Sequence, residues 1–383
     1  MKPLEGILVV AIEQAVAAPV CSARLCEAGA RVIKIERETG DFARGYDDVA
    51  GGDSSYFLWN NCGKESLVLD FKNQDDAALL HRILEQADVL IQNLAPGALR
   101  RSGFGSETLR EKYPQLITCD ISGYGSNESV AKMKAYDFLV QAESGLVSIS
   151  GGVNELGRVG VSICDISAGM NAHAGVLEAL LSRQKTGNGL GIEVSLFGSA
   201  ADWMTVPLLH NDYGAKAPGR AGLHHPSIAP YGGYATADDE IVIVAVQNEK
   251  EWARFCAQVL EQPEVAQDPR FNSNKNRVNN RQAMDEIILA VINSLIRSDA
   301  VDRLEIADIA FGSVNSIMDL SNHPALQRRT GLSSTGKPIK FPARPIQKNP
   351  DASDDSSGDD SSTHAVPRLG QHSQSIRAEF CRQ

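Results

Sequence analysis

Short apolar runs alternate with helix-period segments through the first half of the chain. Residues 7–12, ILVVAI, read as a buried strand, and residues 20–28 read as a helix that Gly29 ends. Residues 32–35, VIKI, give a second strand, so the chain opens as a βαβ unit. That order predicts a parallel sheet with helices on its faces. Further strands are expected over 67–69, 89–91 and 116–121, with a helix over 76–86. Another strand-like run covers 159–164 and ends in a single carboxylate, Asp165. An amphipathic helix is expected directly behind it, with Ile166, Met170, Val176, Leu177, Leu180 and Leu181 as its apolar stripe. Thr186-Gly187-Asn188-Gly189 stops that helix, and residues 192–209 continue as strand and helix.

The pattern changes after residue 213. Residues 213–225, rich in Gly and Ala, mark a linker or mobile loop. Residues 231–246 then alternate as a hairpin around Asp238-Asp239, and helices over 249–260 and 282–296 complete an antiparallel unit. Residues 349–363 are acidic and Ser-rich, which predicts a disordered loop. Residues 366–380 regain apolar side chains and are expected to dock on the surface. The fold class is therefore α/β, divided as a large domain over 1–192 and linker helices with a mobile loop over 193–225. A smaller α+β domain follows over 226–320, and a segment over 321–383 returns to the large domain, with 349–364 as its disordered loop.

Composition narrows the class. A chain of 383 residues with 43% hydrophobic and 22% charged positions is ordinary soluble globular protein with room for more than one core. Its net charge of −11 argues against a nucleic-acid surface and against attraction to anionic membranes. An anionic ligand must find a local basic pocket. Seven cysteines without a C-x-x-C pair form no metal or disulfide framework, so no metal site is expected, and they suit a reducing cytoplasm. Glu5 and Glu13 flank the first apolar run too closely for a signal peptide, and no stretch reaches the ~20 apolar residues of a membrane span.

Two features carry candidate chemistry. Asp165 stands where a helix begins, a place that favours an ionised carboxylate. It is either a plain N-cap or a nucleophile held ready to take an acyl group as an anhydride. Loops at 92–97 and 122–125, together with the turn after the first strand, follow strand carboxyl ends, where open α/β sheets place ligands. Glu36, ending the second strand, suits a nicotinamide ribose, but the first turn carries alanines where G-x-G-x-x-G belongs. The dinucleotide site is rejected and the architecture kept.

With these residues placed, the sequence resembles the class III CoA-transferases (CaiB/BaiF), the family of formyl-CoA:oxalate and carnitine CoA-transferases that also holds the α-methylacyl-CoA racemases. The signatures are GARVIKIER, NLAPGALRRSGF, ISGYG, AYDFLVQAESG and VSICDISAGM, and the similarity runs from PLEGILVV to VPRLGQHS. The resemblance implies a Rossmann-like large domain with a smaller one, an interlocked homodimer, no metal and no tightly bound cofactor. Acyl-CoA and a small carboxylic acid are the implied partners. Asp165 matches the family aspartate that attacks the thioester. Arg37, Leu69, Lys72, Asn93, Leu94 and Arg101 match positions lining the coenzyme A nucleotide site. Val16 and Ala17 match the turn beside the pantetheine or acyl end, and Asp137, beside Tyr136, matches an acidic position near the active site or else a helix cap.

Two departures sharpen the expectation. The racemase branch carries a proton-transferring His where this chain has Tyr136, which favours the transferase. The glycine-run lid of the oxalate enzyme is not reproduced, which counts against oxalate as acceptor. The HHPSIAPYG segment resembles the dicarboxylate-using branch, so Arg220, His224 and His225 are read as contacts for a distal carboxylate, or as surface residues. The expected activity is CoA transfer from an acyl-CoA, succinyl-CoA in that branch, to a dicarboxylate such as mesaconate, citramalate, itaconate or glutarate. The alternatives are an epimerase of the same family and a non-catalytic CoA-binding scaffold in which Asp165 only caps its helix.

Overall fold

The computed structural model describes residues 2–214, 217–346 and 364–381. They form two compact units, one drawing on Met1–Leu146, Val159–Val206 and Gln327–Gln383, the other on Val147–Arg158 and Pro207–Leu326. The disordered loop expected over 349–364 lies outside the described residues except for His364.

The larger unit is built on six parallel strands: β1 (Leu8–Ile12), β2 (Arg31–Glu36), β3 (Glu65–Val68), β4 (Val89–Gln92), β5 (Ile117–Ser122) and β6 (Gly191–Ser195). Their order is β3-β2-β1-β4-β5-β6, the doubly wound arrangement whose switch point falls between β1 and β4. The strands are apolar on both faces because helices cover both, and alternate residues serve alternate layers. Val9, Ala11, Val89 and Ile91 pack with α1 (Ala17–Glu27) on one side. Val10, Ile12, Ile33 and Leu90 pack with Leu79, Leu80 and Ile83 of the helix Gln74–Gln86 on the other.

The C-terminal helix Ser373–Cys381 buries Ile376 and Phe380 in that second layer. Just before it, His372 N donates to Ser66 O at 3.0 Å, and His372 Nδ1 accepts from Ser66 N at 3.1 Å. The chain end thereby covers edge strand β3, whose open backbone groups would otherwise invite pairing with another chain. Residues 366–380 do more than dock on the surface.

Three sequence expectations need correction. Residues 159–162 are not a strand, since the place beside β5 belongs to β6. The side chain of Gln141 holds that segment instead: Val159 N donates to Gln141 Oε1 at 2.9 Å, and Gln141 Nε2 donates to Val159 O at 3.3 Å. The helix that follows starts at Ile163 and runs to Thr186, so Asp165 lies inside its first turn and is not its N-cap. Its buried face matches the expected stripe only in part, at Val176 and Leu180. Cys164, Ala168, Ala172 and Val176 enter the core, while Met170 and Leu181 are exposed. Small residues are favoured there because the helix packs closely against α1.

The smaller unit has an antiparallel sheet of β7 (Tyr231–Ala235), β8 (Ile241–Ala245) and β9 (Ala310–Ser313). The hairpin turns at Asp238-Asp239 as expected, and Asp239 takes a positive φ of 61°. Trp252, Phe255, Met284, Ile288 and Ile292 fill its core.

Candidate active site

The site is assembled from the loops at the carboxyl edge of the sheet and the start of the Ile163–Thr186 helix. That helix has no side-chain cap from its own N-cap residue, Ser162. Asp137, buried at the start of the helix Asp137–Glu143, performs the task from outside. Its Oδ1 accepts from Cys164 N at 2.8 Å and from Asp165 N at 3.4 Å, and its Oδ2 accepts from Gln141 Nε2 at 2.7 Å. Asp137 is therefore a helix cap, but for the helix that carries Asp165.

With Asp137 capping, the Asp165 carboxyl stays uncommitted. Among the described residues it accepts no hydrogen bond and joins no ion pair. It is partly buried, and burial first, then the Asp137 carboxylate, raises its pKa from 3.8 to about 7. The positive end of the helix favours the anion by only about 0.3–1 kcal/mol, too little to cancel that cost. A carboxyl group poised near neutrality, without a structural partner, can ionise and attack an electrophile.

Opposite stands the turn after β1. Ala15 adopts a positive φ of 61°, and its N–H donates to Asp41 Oδ1 at 3.0 Å. Val16 and Ala17 are buried at the start of α1, which has no side-chain cap, so the first amides of that helix remain available. A buried charge network fixes this turn. Glu13 Oε1 accepts from Lys64 Nζ at 2.7 Å and from Lys34 Nζ at 3.4 Å, and Lys34 Nζ reaches Asp41 Oδ2 at 2.9 Å. Ser22 Oγ donates to Glu13 Oε2 at 2.6 Å. The ion pairs hold the Glu13 carboxyl below its usual range despite burial, which works the other way. None of these residues stood out in the sequence, because Lys34 and Lys64 look like ordinary charges beside apolar runs.

The remaining sequence candidates fall along the same edge. Arg37 follows β2, and its Nε donates only to Gly40 O at 3.3 Å. Leu69 is buried just after β3, and Lys72 lies exposed beyond it. Arg101 is exposed after β4, with Nη1 near Pro96 O at 3.3 Å. These three cations lie beyond the carboxyl ends of β2, β3 and β4, at one edge of the sheet of an acidic protein. Asn93 sits at the switch point, where its amide accepts from Gln14 N at 2.9 Å and donates to Gln14 O at 2.8 Å, tying the β1 and β4 loops together. Leu94 lines a cavity of about 470 Å³ at the ends of β4, β5 and β6, which Asp165 does not line.

Tyr136 is 66% exposed beside Asp137. Tyr46, missed in the sequence, lies within electrostatic reach of Asp165; burial, then Asp41, then Asp165 push its pKa up to about 12. Glu36, which tempted a nucleotide reading, is occupied by Arg44 at 2.8 Å and Ser66 at 2.6 Å. Among the described residues no three His, Cys, Asp or Glu side chains gather as metal ligands, and no helix is long and apolar enough to cross a membrane.

Arg220, His224 and His225 belong to the smaller unit. Arg220 spends its guanidinium on backbone carbonyls, Gly152 at 3.1 Å, Val153 at 3.3 Å and Ser148 at 3.5 Å. His225 stacks on Tyr231 and accepts from Ser227 N through Nδ1 at 3.1 Å. His224 packs so closely on Gly232 that no side chain fits there, and its buried Nδ1 has no hydrogen-bond partner.

A doubly wound α/β unit with a free, destabilised carboxyl group at the carboxyl edge of its sheet defines an enzyme of group-transfer type. The chain matches the pattern of CoA-transferase family III over residues 4–373 and belongs to that family. It is 31% identical to acetyl-CoA:oxalate CoA-transferase of Acetobacter aceti over 381 residues, covering 99% of this chain and 96% of the relative. It is 30% identical to succinyl-CoA:glutarate CoA-transferase of Mus musculus over 390 residues, covering 100% and 87%. A CAIB/BAIF family protein from Brucella suis superposes with a TM-score of 0.81 at 29% identity, covering 99% of both chains. The chain is thus a family III CoA-transferase.

Proposed function

We propose that this enzyme moves CoA from succinyl-CoA to a small dicarboxylic acid, with Asp165 as the covalent nucleophile. The observation that carries the proposal is the uncommitted Asp165 carboxyl, whose pKa near 7 leaves a substantial ionised, basic fraction at neutral pH. The Asp165 carboxylate attacks the thioester carbonyl carbon, the C–S bond breaks, and CoA leaves as thiolate from a mixed anhydride. The thiolate then attacks the Asp165 carbonyl, the anhydride C–O bond breaks, and the donor carboxylate departs from an aspartyl-CoA thioester. The acceptor carboxylate displaces CoA from that thioester, and the thiolate returns to the acceptor's acyl carbon, freeing Asp165. No proton is gained or lost, and each step exchanges one activated acyl bond for another.

Arg37, Lys72 and Arg101 are the proposed contacts for the coenzyme's phosphates, as local cations on an acidic chain. The relatives named for glutarate, mesaconate and oxalate support a short dicarboxylate as acceptor. The Arg220 guanidinium is already spent on the Ser148, Gly152 and Val153 carbonyls, which argues against a direct contact with the acceptor. An obligate homodimer is proposed as well. The helix Thr205–Gly214 buries no residue, and Val206 and Tyr213 stand 61% and 85% exposed, as expected of surface that a second copy covers.

Epimerisation needs a second base, and no observation supplies one. His173, on the same helix, is eight residues and about 12 Å from Asp165 along the axis. Its pKa falls to about 4 through burial first, then Arg24 and Arg344, so it stays neutral. The test is incubation with succinyl-CoA and a panel of oxalate, glutarate, mesaconate, itaconate and citramalate, with mass spectrometry of new thioesters. Hydroxylamine should modify Asp165 alone during turnover. Undiminished turnover by Asp165→Ala would remove the covalent mechanism, and solvent deuterium at the α-carbon without any acceptor would favour the epimerase.

A further inference from the structure

Gly169 lies one helical turn after Asp165, on the same face of the helix. Its bare α-carbon rests on the first turn of α1. A Cβ added there would meet Ala17 O at 2.5 Å, Val20 Cβ at 2.7 Å and Val20 Cγ1 at 2.8 Å. Real Cβ atoms do not come that close, and one of the three obstacles is backbone that cannot rotate away. The two helices run in the same sense, since each carries the chain back between parallel strands of one sheet, α1 from β1 to β2 and the Ile163–Thr186 helix from β5 to β6. Asp165, a turn before Gly169 and about 6 Å up the axis, therefore meets the chain just before α1, at the turn over residues 14–16.

We propose that Gly169 is a positioning residue for CoA transfer, letting the Asp165 helix close on α1 so that the carboxyl reaches the turn after β1. The inference rests on the reading of Asp165 as nucleophile. Cys164, Ala168 and Ala172 continue the close seam into the core. At Gly169 the seam presses on an α1 carbonyl one turn from the reacting group, so a side chain there is translated into displacement of Asp165. The wedge amounts to about 1 Å, given ordinary packing distances. Errors of that size at a reacting atom cost on the order of 10²-fold in rate.

The test compares Gly169→Ala with Gly175→Ala on the same helix, where a Cβ meets only the Ile192 side chain at 3.1 Å. Steady-state rates with succinyl-CoA are normalised to the folded fraction from circular dichroism. Gly169→Ala is expected to lose about 10²-fold in kcat with KM for the acyl-CoA within roughly threefold. The acid limb of its kcat–pH profile should move to lower pH, because the opened seam wets the carboxyl. Gly175→Ala should match the parent enzyme. Val20→Ile, which adds a methyl to the opposing wall, should show the same split with a smaller loss, and it carries the test should Gly169→Ala not fold. A folded Gly169→Ala, or in its place a folded Val20→Ile, with unchanged kcat and pH profile overturns the inference. If Asp165→Ala is inactive at the same time, only the positioning claim falls; if Asp165→Ala is active, the nucleophile reading falls first.

Discussion

Replacing Asp165 by Asn should make the protein more stable, by an amount that grows with pH. The folded carboxyl titrates at about 7 and the unfolded one near 3.8, so the native state holds its proton more tightly. Stability then falls as pH rises, since the unfolded chain releases that proton first. Below pH 3.8 both states are protonated and the residue costs nothing; above 7 both are ionised and the full penalty stands. A shift of about 3 units corresponds to about 4 kcal/mol at 1.36 kcal/mol per unit. Solvent at the partly open site screens this to about 2 kcal/mol. Asn keeps the shape and abolishes the charge. Chemical denaturation of both proteins at pH 5.5 and 8.5 reads the difference, with Asp165→Asn ahead at both and further ahead at the higher pH. A gap independent of pH, or a less stable Asn variant at pH 8.5, would refute the reasoning. It would return Asp165 to the role of a helix-stabilising residue.

Three further outcomes follow from the same contacts. Asp137→Asn keeps an acceptor for the Cys164 amide but loses the charge, so the acid limb of the kcat–pH profile should shift to lower pH, while its Nδ2 facing the Gln141 Nε2 donor should lower stability by about 1–3 kcal/mol in thermal denaturation. Lys64→Met leaves the buried Glu13 carboxylate with Lys34 at 3.4 Å and Ser22 as its partners, and should destabilise the fold by about 3–5 kcal/mol in urea titration. Arg220→Ala removes the clamp on the Ser148, Gly152 and Val153 carbonyls, and should raise KM equally for mono- and dicarboxylate acceptors. A rise confined to dicarboxylates would instead place Arg220 on the substrate.

What could be read in the chain beforehand follows from which forces leave a mark on residue order. The strands were legible because a sheet buried on both faces requires mostly apolar runs, and 7–12, 32–35, 89–91 and 116–121 are such runs but for Lys34, Thr118 and Asp120. The same rule misled at 159–164, where apolar residues serve a segment held by Gln141, a side chain eighteen positions from Val159. The Ile163–Thr186 helix was found by its period, and Val176 and Leu180 are buried as expected, yet Met170 and Leu181 were assigned to the wrong face and the small residues of the seam were missed. Close helix contact selects Ala, Cys and Gly, which carry little hydropathy signal. The Lys34–Glu13–Lys64 network was invisible for a related reason, since a buried charge and a solvated one are the same letter until its partners are known.

The buried Lys34 and Lys64 and the carboxyl of Asp165 belong to a single electrostatic design. Glu13, Asp41, Lys34 and Lys64 balance one another, so the turn after β1 is held rigidly without any net local charge. Asp137 has its oxygens taken by the amides and Gln141, and so repels Asp165 without being able to share a proton with it through a direct hydrogen bond. Asp137 and the charges of the β1 turn are thereby committed to other partners, and the Asp165 carboxyl is left with burial and repulsion as its main influences. Both raise its basicity, and a more basic carboxylate is the better nucleophile towards a thioester. The same arrangement makes the ionised group less stable in the free enzyme, so formation of an uncharged acyl bond at Asp165 relieves a penalty already present before substrate arrives.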